Sequence, residues 1–373
     1  MNAPIYADYN AGAPLLEAVK QRLTGLFEAA QPLSNPSSPH QAGQQSRALI
    51  EQARSSLAAA FELRPDRVIF TSSGSEANNH ALMLGRDCPR LITKNAHDSL
   101  RFCLKEPAVT AIEVGRDGKI KRDLLQKQLE QLDHPAWVYC LWAHNETGVI
   151  EDIEAVAELV AAHHCQLHID AVQAIGRIPL DHIIALGKAG KLTSLNLSAH
   201  KLGGLAGAGA LIIYKPEFLK PLLKGGGQER GQRAGTENLI GIIALHHAFN
   251  HALAHQPQES ARLSALQAAF ETAISAQNPD IEIVGAAAPR LPNTSLVLTP
   301  NHPAQQQLIA LDLLGVMVSA GAACSSGKLG ANDGLIAQGY SPELAECAIR
   351  FSFGSGTDQN SLDHIIAAYQ SMI

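Results

Sequence analysis

The sequence predicts an α/β protein with a largely parallel sheet and a second, smaller α/β domain. Short apolar runs alternate with helical stretches over about 140 residues, the pattern of strand–helix–strand crossover units. The 373 residues exceed what one ordinary core holds, so about two domains are expected. The rhythm then changes near residue 257, where a long helical stretch leads into short strands and turns.

Composition narrows the function classes. The chain is 46% apolar and 17% charged, with a net charge of −6 and no basic block. That charge pattern argues against nucleic acid and against anionic membrane surfaces. No apolar run approaches the roughly 18 residues needed to cross a bilayer. Met1-Asn2-Ala3-Pro4 lacks the basic and apolar regions of a secretory leader. The six cysteines show no C-x-x-C spacing, so neither a zinc knuckle nor a redox dithiol is indicated. Free thiols in a reducing, cytoplasmic compartment fit this usage, and no metal site is expected.

Taken in order, residues 5–8 form a short strand. Pro14 opens a helix over 15–30, in which Leu15, Val19 and Leu23 recur at helical spacing. Residues 32–40 are rich in Pro and Ser and form a loop, and 41–61 form a second amphipathic helix. A strand at 67–71 runs into Ser72-Ser73-Gly74-Ser75-Glu76 and a helix that stops at Gly85. A strand, a turn of small residues and a helix start together make an anion site, with capping by Ser73 or Ser75 as the plain alternative. Strands follow at 90–93, 109–114, 137–142, 166–170, 192–197 and 208–214, separated by helices at 98–104, 122–132 and 153–163.

Polar residues gather at the predicted carboxyl ends of these strands, where ligands bind in parallel sheets. They are His97, Asn145 with Glu146, Asp170 with Gln173, and His200 with Lys201. Lys201 lies between two apolar strands and beside a glycine-rich run. Desolvation there would lower the pKa of its amine, and such an amine forms Schiff bases with carbonyl compounds. An aspartate nearby would pair with a protonated heterocycle nitrogen.

The glycine-rich loop 225–238, with Arg230 and Arg233, reads as a second anion-contacting segment leading into a helix from about Thr236. His247, His251 and His255 recur every four residues and read as a solvated face more than a metal stripe. Further on, 260–276 is a helix, 281–284, 294–298 and 315–319 are strands, and 304–313 is a helix. Cys324 sits in a run of tiny residues, which suits a loop presenting a reactive thiol. Arg350 lies on a strand over 348–353 between apolar neighbours, where its fork needs an anionic partner such as a carboxylate. These readings place residues 15–250 in a large domain and residues 1–14 with 251–373 in a small one that carries the cysteine loop.

The segments FTSSGSEAN (70–78), HNETG (144–148), HIDAVQAIG (168–176), SAHK (198–201), GGGQERGQRAGTEN (225–238), GAACSSG (321–327) and IRFS (349–352) resemble the cysteine desulfurases. These belong to the class V aminotransferase branch of fold-type-I pyridoxal-phosphate enzymes. The resemblance implies a mainly parallel seven-stranded sheet in the large domain and pyridoxal 5'-phosphate as cofactor. It implies that Lys201 joins the cofactor, Asp170 pairs with the ring nitrogen, Gln173 with the ring hydroxyl, and His97 stacks on the ring. Gly74, Ser75, Ser198 and His200 would hold the phosphate. Thr236 would reach the phosphate of a second subunit, hence a homodimer with shared sites. Asn145 and Arg350 would bind the substrate carboxylate. Cys324 would take sulfur from L-cysteine as a persulfide and pass it to an acceptor protein, for iron–sulfur cluster assembly or thiolation. The alternatives are a selenocysteine lyase or another class V aminotransferase, and a non-catalytic scaffold that binds a partner.

Overall fold

A computed structural model describes residues 4–29, 33–321 and 332–373 of the chain. The strands are β1 (Ile5–Tyr6), β2 (Val68–Thr71), β3 (Arg90–Thr93), β4 (Val109–Ile112), β5 (Trp137–Leu141), β6 (Gln166–Asp170), β7 (Ser194–Ser198), β8 (Gly209–Ile213), β9 (Glu282–Ile283), β10 (Thr294–Leu298), β11 (Val316–Met317), β12 (Ser319–Ala320) and β13 (Ala348–Ser352). The helices are α1 (Glu17–Phe27), α2 (Gln41–Ala60), α3 (Gly74–Leu84), α4 (Asp98–Arg101), α5 (Arg122–Glu130), α6 (Ile153–Ala162), α7 (Asp181–Lys188), α8 (Leu239–Gln277), α9 (Ala304–Leu313), α10 (Asp333–Ala337), α11 (Pro342–Ala345) and α12 (Gln359–Met372).

Seven strands form one sheet in the order β2-β8-β7-β6-β5-β3-β4. β8 is antiparallel to both its neighbours, and every other pair is parallel. Strands β2, β3, β5, β6, β7 and β8 are buried along nearly their whole length because helices cover both faces. A four-stranded sheet, β12-β13-β10-β9, and the pair β1-β11 form the second unit. Its core joins Ala7 to Phe270, Phe351, Phe353 and Tyr369, separate from the core under the large sheet.

Several boundaries differ from the sequence reading. The helix placed over 15–30 starts at Glu17, because Leu16 is extended and its N–H donates to the Gly203 carbonyl. Helix α7 was not expected. Its Ile183 and Leu186 are buried, but eight residues carry too short a period to stand out. The helix expected from Thr236 begins at Leu239, where the Asn238 side chain accepts the Gly241 N–H. It then runs unbroken through Pro257 for 39 residues. Proline removes one helix hydrogen bond. Burial on both sides outweighs that loss, with Ile242 to Phe249 in one core and Leu263 to Ile274 in the other.

Candidate active site

The parallel strands deliver their carboxyl ends to one edge of the sheet. β2 leads to Ser73 and Gly74, β3 to His97, β5 to Asn145, β6 to Asp170, and β7 to Ser198, His200 and Lys201. There they enclose a cavity of about 250 Å³. Gly74, Ser75, His97, Asn145, Asp170, Gln173, Ser198, His200, Lys201 and Arg350 all line it. Thr236 does not, and it is exposed on its loop. Cys324 lies outside the described residues.

One end of the cavity is built for an anion. Ser73 caps α3 by accepting the Glu76 N–H at 3.1 Å, so the helix starts at the cavity with its positive dipole end. A Cβ on Gly74 would lie 2.9 Å from Val172 Cγ2, and one on Gly209 would lie 2.7 Å from the Ser73 carbonyl carbon. Only glycine permits this approach of turn, strand and helix. The Ser198 hydroxyl meets His200 Nδ1 at 2.9 Å. Burial, with the Lys201 charge adding to it, lowers the His200 pKa to about 4, so its ring is neutral. Glu76 is an anion beside this end. Burial raises its carboxyl, but Arg233 and Ser72 outweigh that and hold it below its usual range.

The same lining carries Asp170, His97, Gln173 and Lys201. Asp170, 5% exposed, accepts from Asn78 Nδ2 at 2.7 Å and from the Val172 N–H at 3.1 Å. His97 Nδ1 accepts the Ser99 N–H at 3.1 Å and contacts the Ser99 hydroxyl at 2.8 Å. Gln173 donates to the Asn10 carbonyl at 3.0 Å and accepts from Arg177 at 2.8 Å. This fixes its amide with the nitrogen toward Asn10. Lys201 is half-buried, and its ammonium donates to the carbonyls of Asn10 and Ala11 at 2.6 and 2.8 Å. The amine expected at this strand end is thus held by two backbone carbonyls of the N-terminal segment.

Arg350 enters from the second unit on β13 and is 2% exposed. It holds Asp8 and Glu146, each at 2.7 Å, and also donates to the Asn145 carbonyl. The anionic partners anticipated for it thus include two carboxylates of the chain itself. Glu146 is buried, and its Oε2 has no partner among the described residues. Asn145 donates to Glu146 Oε1 at 2.7 Å.

The arginines of loop 225–238 do not reach the cavity. Arg233 pairs with Glu76 and Arg230 with Glu51, while Glu229 makes a buried two-bond pair with Arg54. Within this chain the two arginines of the loop are thus paired with its own carboxylates. Sequence reasoning assigned no role to Asn10, Asn78 or Ser99, which line the cavity. Asn78 was findable, because it lies four residues after Gly74 on one face of α3. His251 and His255 stack at 4.1 Å, and no cluster that could hold a metal occurs among the described residues.

The donor set fits pyridoxal 5'-phosphate. Helix-start amides, the Ser75 and Ser198 hydroxyls and the His200 ring suit a phosphate. A buried carboxylate suits a ring nitrogen, an oriented amide suits a ring hydroxyl, and Lys201 supplies an amine at the same edge.

The chain is similar to known proteins over its whole length. The aminotransferase class-V family matches residues 5–365. The chain is 34% identical to a cysteine desulfurase IscS of Dictyoglomus turgidum, over 100% of this chain and 95% of that protein. It is 32% identical to a putative cysteine desulfurase, IscS 1, of Bacillus subtilis, over 94% of each. Among solved structures, a NifS-like protein from Rickettsia africae superposes with a TM-score of 0.91 and 30% identity, covering 99% of each chain.

Proposed function

The chain belongs to the aminotransferase class-V family, and we propose that it is a pyridoxal-phosphate-dependent cysteine desulfurase acting on L-cysteine. The observation that carries the reading is the single cavity in which Lys201, Asp170, His97, Gln173 and Arg350 converge beside an anion cradle. Bound there, the cofactor supplies an electron sink for the substrate's α-carbon.

The residues divide the work. Gly74, Ser75, Ser198 and His200 hold the phosphate. Asp170 would pair with the ring nitrogen, Gln173 with the ring hydroxyl, and His97 would cover the ring. Arg350 and Asn145 take the substrate carboxylate. Lys201 would supply the amine that moves the substrate's α-proton. The Cys324 thiolate then attacks the substrate sulfur. A sulfur–sulfur bond forms, the carbon–sulfur bond breaks with its electron pair remaining on carbon, and that carbon takes a proton. Cysteine plus the Cys324 thiol becomes alanine plus the Cys324 persulfide, so atoms and electrons balance.

An acceptor protein then receives the sulfur, for iron–sulfur cluster assembly or thiolation. In the same reading Thr236, exposed and outside its own cavity, serves a second copy in a homodimer. Residues 15–250 form the cofactor domain and 1–14 with 251–373 the smaller one, a division supported by the two separate cores.

The test is a single turnover of cofactor-loaded protein with L-cysteine in the absence of reductant. The expected result is one alanine per site and one added sulfur atom in the mass of the Cys324 peptide. Cys324→Ala retains the cofactor and loses both products. Undiminished sulfur release by that variant would sink the reading.

A further inference from the structure

We propose that Asn78 is a positioning residue that sets the Asp170 carboxylate and the His97 ring together. The inference rests on the cofactor reading above but adds a residue to which that reading gives no role.

Asn78 is 1% exposed, and all four hydrogen-bonding positions of its amide are used. Its Nδ2 donates to Asp170 Oδ2 at 2.7 Å and to the Ser99 hydroxyl at 2.8 Å. Its Oδ1 faces His168 Nε2 at 3.0 Å and accepts from Asn196 Nδ2 at 2.8 Å. Turning the amide over would set its oxygen against a carboxylate and its nitrogen against the Asn196 amide N–H, so one orientation survives.

The anchors behind it are equally constrained. His168 is fully buried, and burial lowers its pKa to about 3, so the ring is neutral. Its proton sits on Nε2, facing Asn78 Oδ1, and its Nδ1 takes the Ser194 hydroxyl at 2.8 Å. Asn196 is held from its other end by the Ala171 N–H at 2.9 Å. On the cavity side the order passes through Ser99. Because His97 Nδ1 accepts the Ser99 backbone N–H, a neutral His97 carries its proton on Nε2. One amide therefore joins the group for the ring nitrogen to the group that covers the ring.

The discriminating variant is Asn78→Asp. It keeps an oxygen toward His168 and Asn196 but replaces both donors facing Asp170 and Ser99 with an acceptor. The change inverts the polarity that position 78 presents to Asp170 and Ser99. Two quantities are measured: the dissociation constant for pyridoxal 5'-phosphate added to cofactor-free protein, and the ring ¹⁵N signals of His97 in the loaded protein. In the wild type His97 carries its proton on Nε2. In Asn78→Asp the dissociation constant rises about tenfold or more, and the His97 Nδ1 signal shifts as the Ser99 hydroxyl turns to the new carboxylate, while the Ser99 backbone N–H keeps the ring proton on Nε2. Ser99→Ala changes the His97 signals and leaves the dissociation constant within about twofold, since Asp170 keeps its partner.

A folded Asn78→Asp with wild-type affinity and wild-type His97 signals would overturn the proposal. So would a wild-type His97 protonated on Nδ1, a measurement that needs no variant to fold. A wild type that binds the cofactor yet makes no alanine from cysteine would refute the proposed reaction and leave this assignment standing.

Discussion

Asp170 on the large sheet and Arg350 on the small one line the same cavity, and both are nearly excluded from water, at 5% and 2% exposure. Asp170 is held by neutral donors, an amide side chain and a backbone N–H. Arg350 is held by two carboxylates, Asp8 and Glu146. Neutral dipoles orient a buried anion without cancelling its charge, so the full charge of Asp170 remains available to a cationic ring. The carboxylates offset the charge of Arg350, so an arriving carboxylate must share the fork with groups already there. Under the proposed function, the large-sheet side would serve the resident cofactor and the small-sheet side a ligand that exchanges at every turnover.

The largest effect expected from this contrast is at Asp170. Asp170→Asn keeps the shape and removes the charge. Loss of one partner of a buried pair costs about 3–5 kcal/mol, so kcat for alanine formation should fall by about 10²- to 10⁴-fold. A fall of less than tenfold would break the contrast, because the anion would then be dispensable. Arg350→Lys comes next. It keeps a positive charge for Asp8 and Glu146 but loses the planar fork. KM for L-cysteine should rise about tenfold or more while cofactor affinity stays unchanged. A fall in cofactor affinity instead would mean that the two sides are not separable.

The smallest effect is at Glu146. Glu146→Gln removes one competitor for Arg350, and KM for L-cysteine should fall a few-fold. Its stability signature has a definite sign. Burial raises the Glu146 carboxyl above its usual range, Arg350 offsets this only in part, and Asp8 adds to it. The native state therefore holds this proton more tightly than the unfolded chain, and the wild type loses stability as pH rises from 4.5 through the raised value. The Tm advantage of Glu146→Gln over wild type should grow from pH 4 to pH 7. A difference that shrinks over that range would show that Arg350 depends on this carboxylate more than burial penalises it.

Much of the cavity was legible before any coordinates. Lys201, Asp170, His97 and His200 stand at the ends of apolar runs, and a parallel sheet brings such ends to one edge. Gly74 and Ser75 announced themselves by a strand, a small-residue turn and a helix start. What escaped were partners distant in sequence. Asp8 and Glu146 meet Arg350 across separations of 342 and 204 residues, and Glu229 meets Arg54 across 175. Local spacing carries no trace of such pairs, so Arg230 and Arg233 looked ready for an external anion when the chain supplies carboxylates of its own. Asn78 escaped for another reason. Its importance lies in being saturated, and saturation is a property of neighbours.

By itself the sequence determined the alternation of strands and helices, the edge at which polar residues collect, and the motifs whose order marks the family. Those follow from periodicity and short-range chemistry, which act within a few residues. Only the tertiary structure decided that α8 continues through Pro257, that the Lys201 ammonium rests on the Asn10 and Ala11 carbonyls, and that Arg350 lies between two carboxylates. The physical reason is the same in each case. Burial and long-range hydrogen bonding set the energy of these groups, and both depend on what the fold brings to their side rather than on what the chain places next to them.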